Sequence, residues 1–160
     1  MSTLILTKDD ISKIINMKEV LLTVKAVLIK KAEGKTIIPN RILLNSKISS
    51  NYYLDGSFNG MAGYVGPDKE EGIVGLKWIS RFDNNRTLGI PTLNAVTMIN
   101  DTNTGMPLAI ADGSLITAFR TGAVTTLGAK YLARDNSEII SLIGVGVQAR
   151  IHLMAARARQ

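Results

Sequence analysis

The 160-residue sequence has no cysteine, one histidine and one tryptophan, and aromatic residues make up only 5% of it. Without cysteine there is no disulfide framework, no thiol nucleophile and no thiolate metal site. With His152 as the sole imidazole, neither a Ser-His catalytic pair nor a histidine metal centre has the groups it needs. His152 itself reads as a packed or surface residue, and no metal is expected. No run approaches the roughly 18 uncharged apolar residues of a membrane span. The opening "MSTLILTKDDISK" puts acidic residues where a signal peptide carries its apolar core. A cytoplasmic protein with no membrane partner is the expectation. The net charge is +6, but Lys30, Lys31, Arg81, Arg86, Arg150 and Arg157 are scattered and lack interleaved aromatics, so no nucleic-acid partner is expected either.

What is present is apolar content, 46% of residues, enough for a sizeable core. A short strand over Thr3 to Leu6 is followed by Thr7, an N-cap with Asp9 and Asp10 in the first turn. Apolar residues Ile11, Ile14, Ile15, Val20, Val24, Val27 and Leu28 keep a helical period up to Gly34, with a break near Asn16 to Lys18. From residue 37 the pattern turns to short strands at Arg41 to Leu44, Tyr52 to Leu54, Asn59 to Tyr64 and Gly72 to Trp78. Asn94 to Asn100 and Pro107 to Ala111 flank a glycine-closed turn and predict a hairpin. Ser114 is then expected to cap a long helix to about Arg134, with Leu115, Ile116, Phe119, Ala123, Val124, Leu127 and Leu132 as its apolar stripe. Met61, Met98 and Met106 read as core filler.

Two features carry chemistry. The first is "SLIGVGVQA", in which the apolar run Ile139 to Ile143 leads into Gly144-x-Gly146-x-x-Ala149 and a helical pattern. A strand, glycine turn and helix in that order can present backbone N–H groups to a pyrophosphate. The pattern also fits an ordinary turn. The second is a set of cations among apolar neighbours: Arg41, Lys77 and Arg120. A cation in such surroundings is costly unless an anion meets it, and a ligand carboxylate would suit. Edge-strand or snorkelling side chains are the alternative.

In series, "GLKWIS", "GIPTLNAVTMINDTNTGMPLAIADGSLITAFRTGAV" and "SLIGVGVQA" resemble the ornithine cyclodeaminase/mu-crystallin family over about Pro39 to Ala149. The resemblance implies an α/β protein. An N-terminal α+β dimerisation and substrate domain (1–136) would be followed by the first strand and helix of a truncated Rossmann domain (137–160) binding NAD or NADP. It implies that Arg41, Lys77 and Arg120 hold the substrate carboxylate. It places cofactor contacts at Thr92, Arg120, Thr121, Gly144, Gly146, Gln148 and Ala149. The catalytic aspartate of the family would lie in a missing half, leaving the 160-residue fragment inactive alone. The implied chemistry is hydride transfer at the α-carbon of an amino acid, as in conversion of ornithine to proline and ammonia. Alanine dehydrogenase, ketimine reductase, siderophore-precursor synthase and a non-enzymatic mu-crystallin-like binder are the alternatives. The expected partners are a small amino or imino acid and a second copy of the chain. One departure stands out: Asn59 occupies the place of a family glutamate, and an amide cannot act as a general base.

Overall fold

The computed structural model describes residues 2–45, 47–49, 52–53, 55–66 and 72–158. Strand β1 (Leu4–Leu6) runs into helix α1 (Lys8–Ile14) through the expected cap at Thr7. Thr7 Oγ1 accepts from the Asp10 backbone N–H at 3.2 Å, while the Asp10 carboxylate accepts from the Thr7 backbone N–H at 3.0 Å and its hydroxyl at 2.6 Å. These donors hold the Asp10 carboxyl below its ordinary pKa. The predicted break falls at Ile15 and Asn16, where the Asn16 side chain caps α2 (Met17–Ala32) by accepting from Lys18 N–H at 2.8 Å.

The strands that follow are β2 (Thr36–Ile37), β3 (Ile42–Leu44), β4 (Lys47–Ser49), β5 (Tyr52–Tyr53), β6 (Ser57–Val65), β7 (Ile73–Arg81), β8 (Leu93–Asn100) and β9 (Pro107–Asp112). A 3-10 turn, Asp83–Leu88, which the sequence pattern did not signal, connects β7 to β8. Leu54, the end of one expected strand, lies outside the described residues. The main sheet has seven strands in the order β1-β9-β8-β7-β6-β2, with β3 also pairing to β6, and β4 pairs with β5 separately. Only β1 and β9 are parallel; the other described pairs are antiparallel. The β8–β9 hairpin turns where Asp101 Oδ1 accepts from the Asn103 and Thr104 backbone N–H groups, and Gly105 takes the left-handed φ of 72°.

Helix α3 (Ser114–Leu132) begins at its expected cap, one residue earlier than predicted. Ser114 is the first helical residue, not the cap, and its own backbone N–H donates to Asp112 Oδ1 at 2.8 Å. Phe119, Ala123 and Leu127 from the predicted stripe join Met17 and Leu21 of α2 and Ile151 and Ala155 of α4 (Val147–Ala158) in the core. Val124 and Leu132 face solvent instead, as does Met106. Gly122 lets α3 and α4 approach closely, since a Cβ there would stand 3.0 Å from Ile151 Cγ2.

The strand expected at Ile139 to Ile143 is not formed, and Ile139 and Ile143 are exposed. A lone extended segment leaves its backbone groups without ladder partners, and no described strand runs alongside it. The glycine turn and helix α4 are therefore present without the expected strand before them.

Candidate functional site

Lys77 sits at the middle of β7, paired with Met61 on β6 and Thr97 on β8, and Thr97 pairs in turn with Ala111 on β9. Directly paired residues share a sheet face. Ala95, Ala109 and Ala111 on this face are buried, and helices α1 and α3 cover it. Asn59, which pairs with Ile79, shares the face. Arg41 immediately precedes β3, whose Ile42 pairs with Gly60, so strand alternation turns Arg41 toward the same side as Met61 and Lys77. Arg120 projects from the second turn of α3, above that face.

The three cations predicted to act together are brought together. Burial is the main cause that depresses the Lys77 ammonium from its ordinary value to about 8, and the neighbouring charges of Arg120 and Arg41 add to it. Burial and Arg41 likewise lower the Arg120 guanidinium, which stays charged at any pH of interest. Among the described residues, no carboxylate contributes to either shift. Glu19 lines the same cavity of about 380 Å³ as Arg120, with Ile14, Val20, Val24 and Ile116, but is not ion-paired with it. Like charges packed on a half-dry surface, with no counter-ion among the described residues, can take up an anion.

The residues expected on the cofactor side are placed less closely. Gly144 has φ 100°, and a Cβ at either Gly144 or Gly146 would meet nothing within 4 Å. The loop is thus open in front of α4, whose first turn carries no acidic residue. Open glycines at the N-terminus of a 12-residue helix fit a pyrophosphate. Gln148 and Ala149 lie in that first turn. Gly122 faces Ile151, and Thr125 Oγ1 is 3.0 Å from His152 Nε2. One turn back along both helices, the start of α4 is level with the Arg120–Thr121 stretch. The Thr121 hydroxyl donates to the Thr117 carbonyl at 2.7 Å. Thr92 lies apart from the cations, just before β8, its carbonyl accepting from Phe82 N–H at 2.8 Å. His152 has a packing role: Nδ1 lies 2.6 Å from the Gln148 carbonyl, which makes it the donor and leaves Nε2 to accept from Thr125. Among the described residues no cluster could hold a metal, and no helix is long and apolar enough to cross a membrane.

Sequence reasoning missed two hydroxyls, Thr97 and Thr117. Their Oγ1 atoms are buried without a hydrogen-bond partner among the described residues. The only signal for Thr97 in the sequence would have been its position on the Lys77 face, which required the strand register.

The profile of the ornithine cyclodeaminase/mu-crystallin family matches residues 1–160. The chain belongs to this family. Among family relatives, an alanine dehydrogenase from Archaeoglobus fulgidus is 35% identical over 157 residues, covering 98% of the chain and 45% of the relative. An archaeal alanine dehydrogenase dimer with bound NAD superposes with a TM-score of 0.88 at 35% identity, over 98% of this chain and 45% of that one. The Delta(1)-pyrroline-2-carboxylate reductase of Thermococcus litoralis, in complex with NADH and L-proline, gives 0.85 at 37% identity, over 96% and 45%. The chain spans about half the length of these family members.

Proposed function

We propose that this chain supplies the substrate-carboxylate site and the opening of the cofactor site of an NAD(P)-dependent enzyme acting on a small amino or imino acid. The observation that carries the reading is the cluster of Arg41, Lys77 and Arg120 against a covered sheet face, with no carboxylate among the described residues paired to it. Arg41 and Arg120 can each grip a carboxylate through a planar fork, and Lys77 adds a point charge. Held this way, the carboxylate fixes the adjacent α-carbon in one orientation, and the cover of α1 and α3 limits water on that side. The nicotinamide, when bound, supplies the hydride acceptor or donor for that carbon. Residues 1–136 form the substrate and dimerisation part, and 137–160 begin the dinucleotide part. Gly144, Gly146, Gln148 and Ala149 take the pyrophosphate; Thr92, Arg120 and Thr121 take further cofactor contacts.

Asn59 bears on the substrate. It lies on the Lys77 face, where a neutral amide can hydrogen-bond but cannot take a proton from a substrate amine. Reversible hydride transfer at the α-carbon of a 2-amino acid, as the names of the similar dehydrogenase and reductase suggest, fits better than ornithine cyclisation. A second copy of the chain is proposed to cover the other sheet face, where Ile42, Trp78 and Val96 form one exposed apolar row. Calorimetric titration of NADH, then of L-proline and L-alanine with L-prolinamide as control, tests the reading. Binding of the acids and not of the amide is expected; equal binding of acid and amide would refute it.

A further inference from the structure

Thr97 and Thr117 present a physical cost that the fold does not explain. Each has a hydroxyl out of contact with solvent, and neither hydroxyl has a hydrogen-bond partner among the described residues. Such a group loses its hydration and gains nothing in return, a penalty that valine, of the same shape, would avoid. Thr97 is a β-branched residue inside a strand, flanked by Val96 and Met98, so packing alone favours valine there. Thr117 is 4% exposed on α3.

Both threonines lie on elements that border the cations. Thr97 is the direct cross-strand partner of Lys77. A Cβ on Gly113, the residue preceding α3, would lie 2.9 Å from Thr97 Oγ1, so this hydroxyl abuts the start of that helix. Thr117 N–H donates to the Gly113 carbonyl at 2.8 Å, which puts Thr117 one turn further along, and Arg120 follows at i+3. The residue at the N-cap position of α3, Gly113, has no side chain, and the Ser114 N–H at the helix start donates to Asp112 Oδ1. The Thr97 hydroxyl therefore meets the start of α3 on the Lys77 face, and Thr117 shares the side of α3 that carries Gly113 and Arg120.

We propose that Thr97 and Thr117 are ligand-binding residues, a neutral hydrogen-bonding floor of the cationic site whose hydroxyls donate to the oxygens of the bound carboxylate. This rests on the carboxylate reading above and extends it. The cations supply attraction, and the two short, rigid donors fix the plane in which the carboxylate lies. Charge alone would hold any anion of similar size; fixed donors select a flat one.

The test uses Thr97→Val, Thr117→Val and the corresponding serine variants, with thermal unfolding of the ligand-free protein and calorimetric titration of L-proline, L-alanine and L-prolinamide in the presence of NADH. The expected result is a valine variant at least as thermally stable as the parent, with about tenfold or greater loss of amino-acid affinity, and recovery of most of that affinity in the serine variant. Valine variants that fail to fold, or that lose stability while amino-acid affinity stays unchanged, overturn the proposal, since the hydroxyls would then serve the fold. If the parent binds L-prolinamide as well as L-proline, the carboxylate reading itself has failed and this proposal falls with it. If the parent discriminates and the valine variants discriminate equally, only this proposal fails.

Discussion

Replacing Lys77 by methionine separates a binding role from a structural one, because the two predict opposite signs in two measurements. In the free protein the ammonium is partly buried beside Arg120 and Arg41, and burial first, then these two charges, lower it to about 8. At pH 7 roughly nine-tenths of the molecules nevertheless carry the charge. Methionine has similar length and no charge, so it removes a desolvation cost and two repulsions while keeping the packing of the stem. Lys77→Met should leave thermal stability unchanged or raise it. In the liganded protein the same substitution removes a charged hydrogen bond, a loss of about 1.5–3 kcal/mol, or about 10- to 150-fold in amino-acid affinity. NADH affinity should hardly change. Arg120→Met, on the helix that runs beside the start of α4, should weaken both ligands. Thermal unfolding and calorimetric titration at pH 7 read both effects. A Lys77→Met protein that is less stable and binds amino acid normally would refute the reasoning. Lost NADH affinity in that variant would place the residue on the wrong ligand.

The depressed Lys77 value has a pH signature. Between about pH 8 and 10.5 the unfolded chain holds a proton at this residue that the folded chain does not, so its contribution to stability rises with pH across that window. Carboxylate affinity should fall as pH passes 8, by up to about tenfold per unit, and should be flat there in Lys77→Met; titrations at several pH values check this. Gly122→Ala should force α3 and α4 apart, because the new Cβ would stand 3.0 Å from Ile151 Cγ2 and 3.1 Å from its carbonyl. A loss of about 1–3 kcal/mol in denaturant unfolding is expected. Sedimentation should find a dimer or larger species for the parent, and Trp78→Glu, on the exposed row of Ile42, Trp78 and Val96, should shift it toward monomer.

Local signals carried the helices and the antiparallel strands well. The Thr7 cap, the break at Asn16, the turn at Asp101 to Gly105 and the buried Phe119–Ala123–Leu127 stripe all depend on near neighbours, and sequence spacing reports near neighbours directly. The gathering of Arg41, Lys77 and Arg120 was legible only as three separate oddities, cations among apolar residues, and through the family resemblance. Their convergence depends on strand register and on the crossing of α3 over the sheet, which no local pattern encodes. The expected strand at Ile139 to Ile143 failed for the complementary reason: an apolar run has strand propensity, but a strand exists only where a neighbour completes its hydrogen bonds. Ser114 lies inside the helix rather than capping it because Gly113 takes the cap position and the Asp112 carboxylate, two residues earlier, accepts from the Ser114 N–H. Thr97 and Thr117 escaped notice because a threonine within a strand or a helix is unremarkable until its burial and lack of partners are known.

The central claim is that Lys77 waits for the carboxylate of a ligand, and titration of the Lys77 side-chain resonance by heteronuclear NMR, with and without L-proline in the presence of NADH, tests it directly. The account predicts a midpoint near 8 in the free protein and a clear upward move when the carboxylate binds, because an anion beside the ammonium favours its charged form. A midpoint at the ordinary lysine value of about 10.4 that does not respond to L-proline would contradict it.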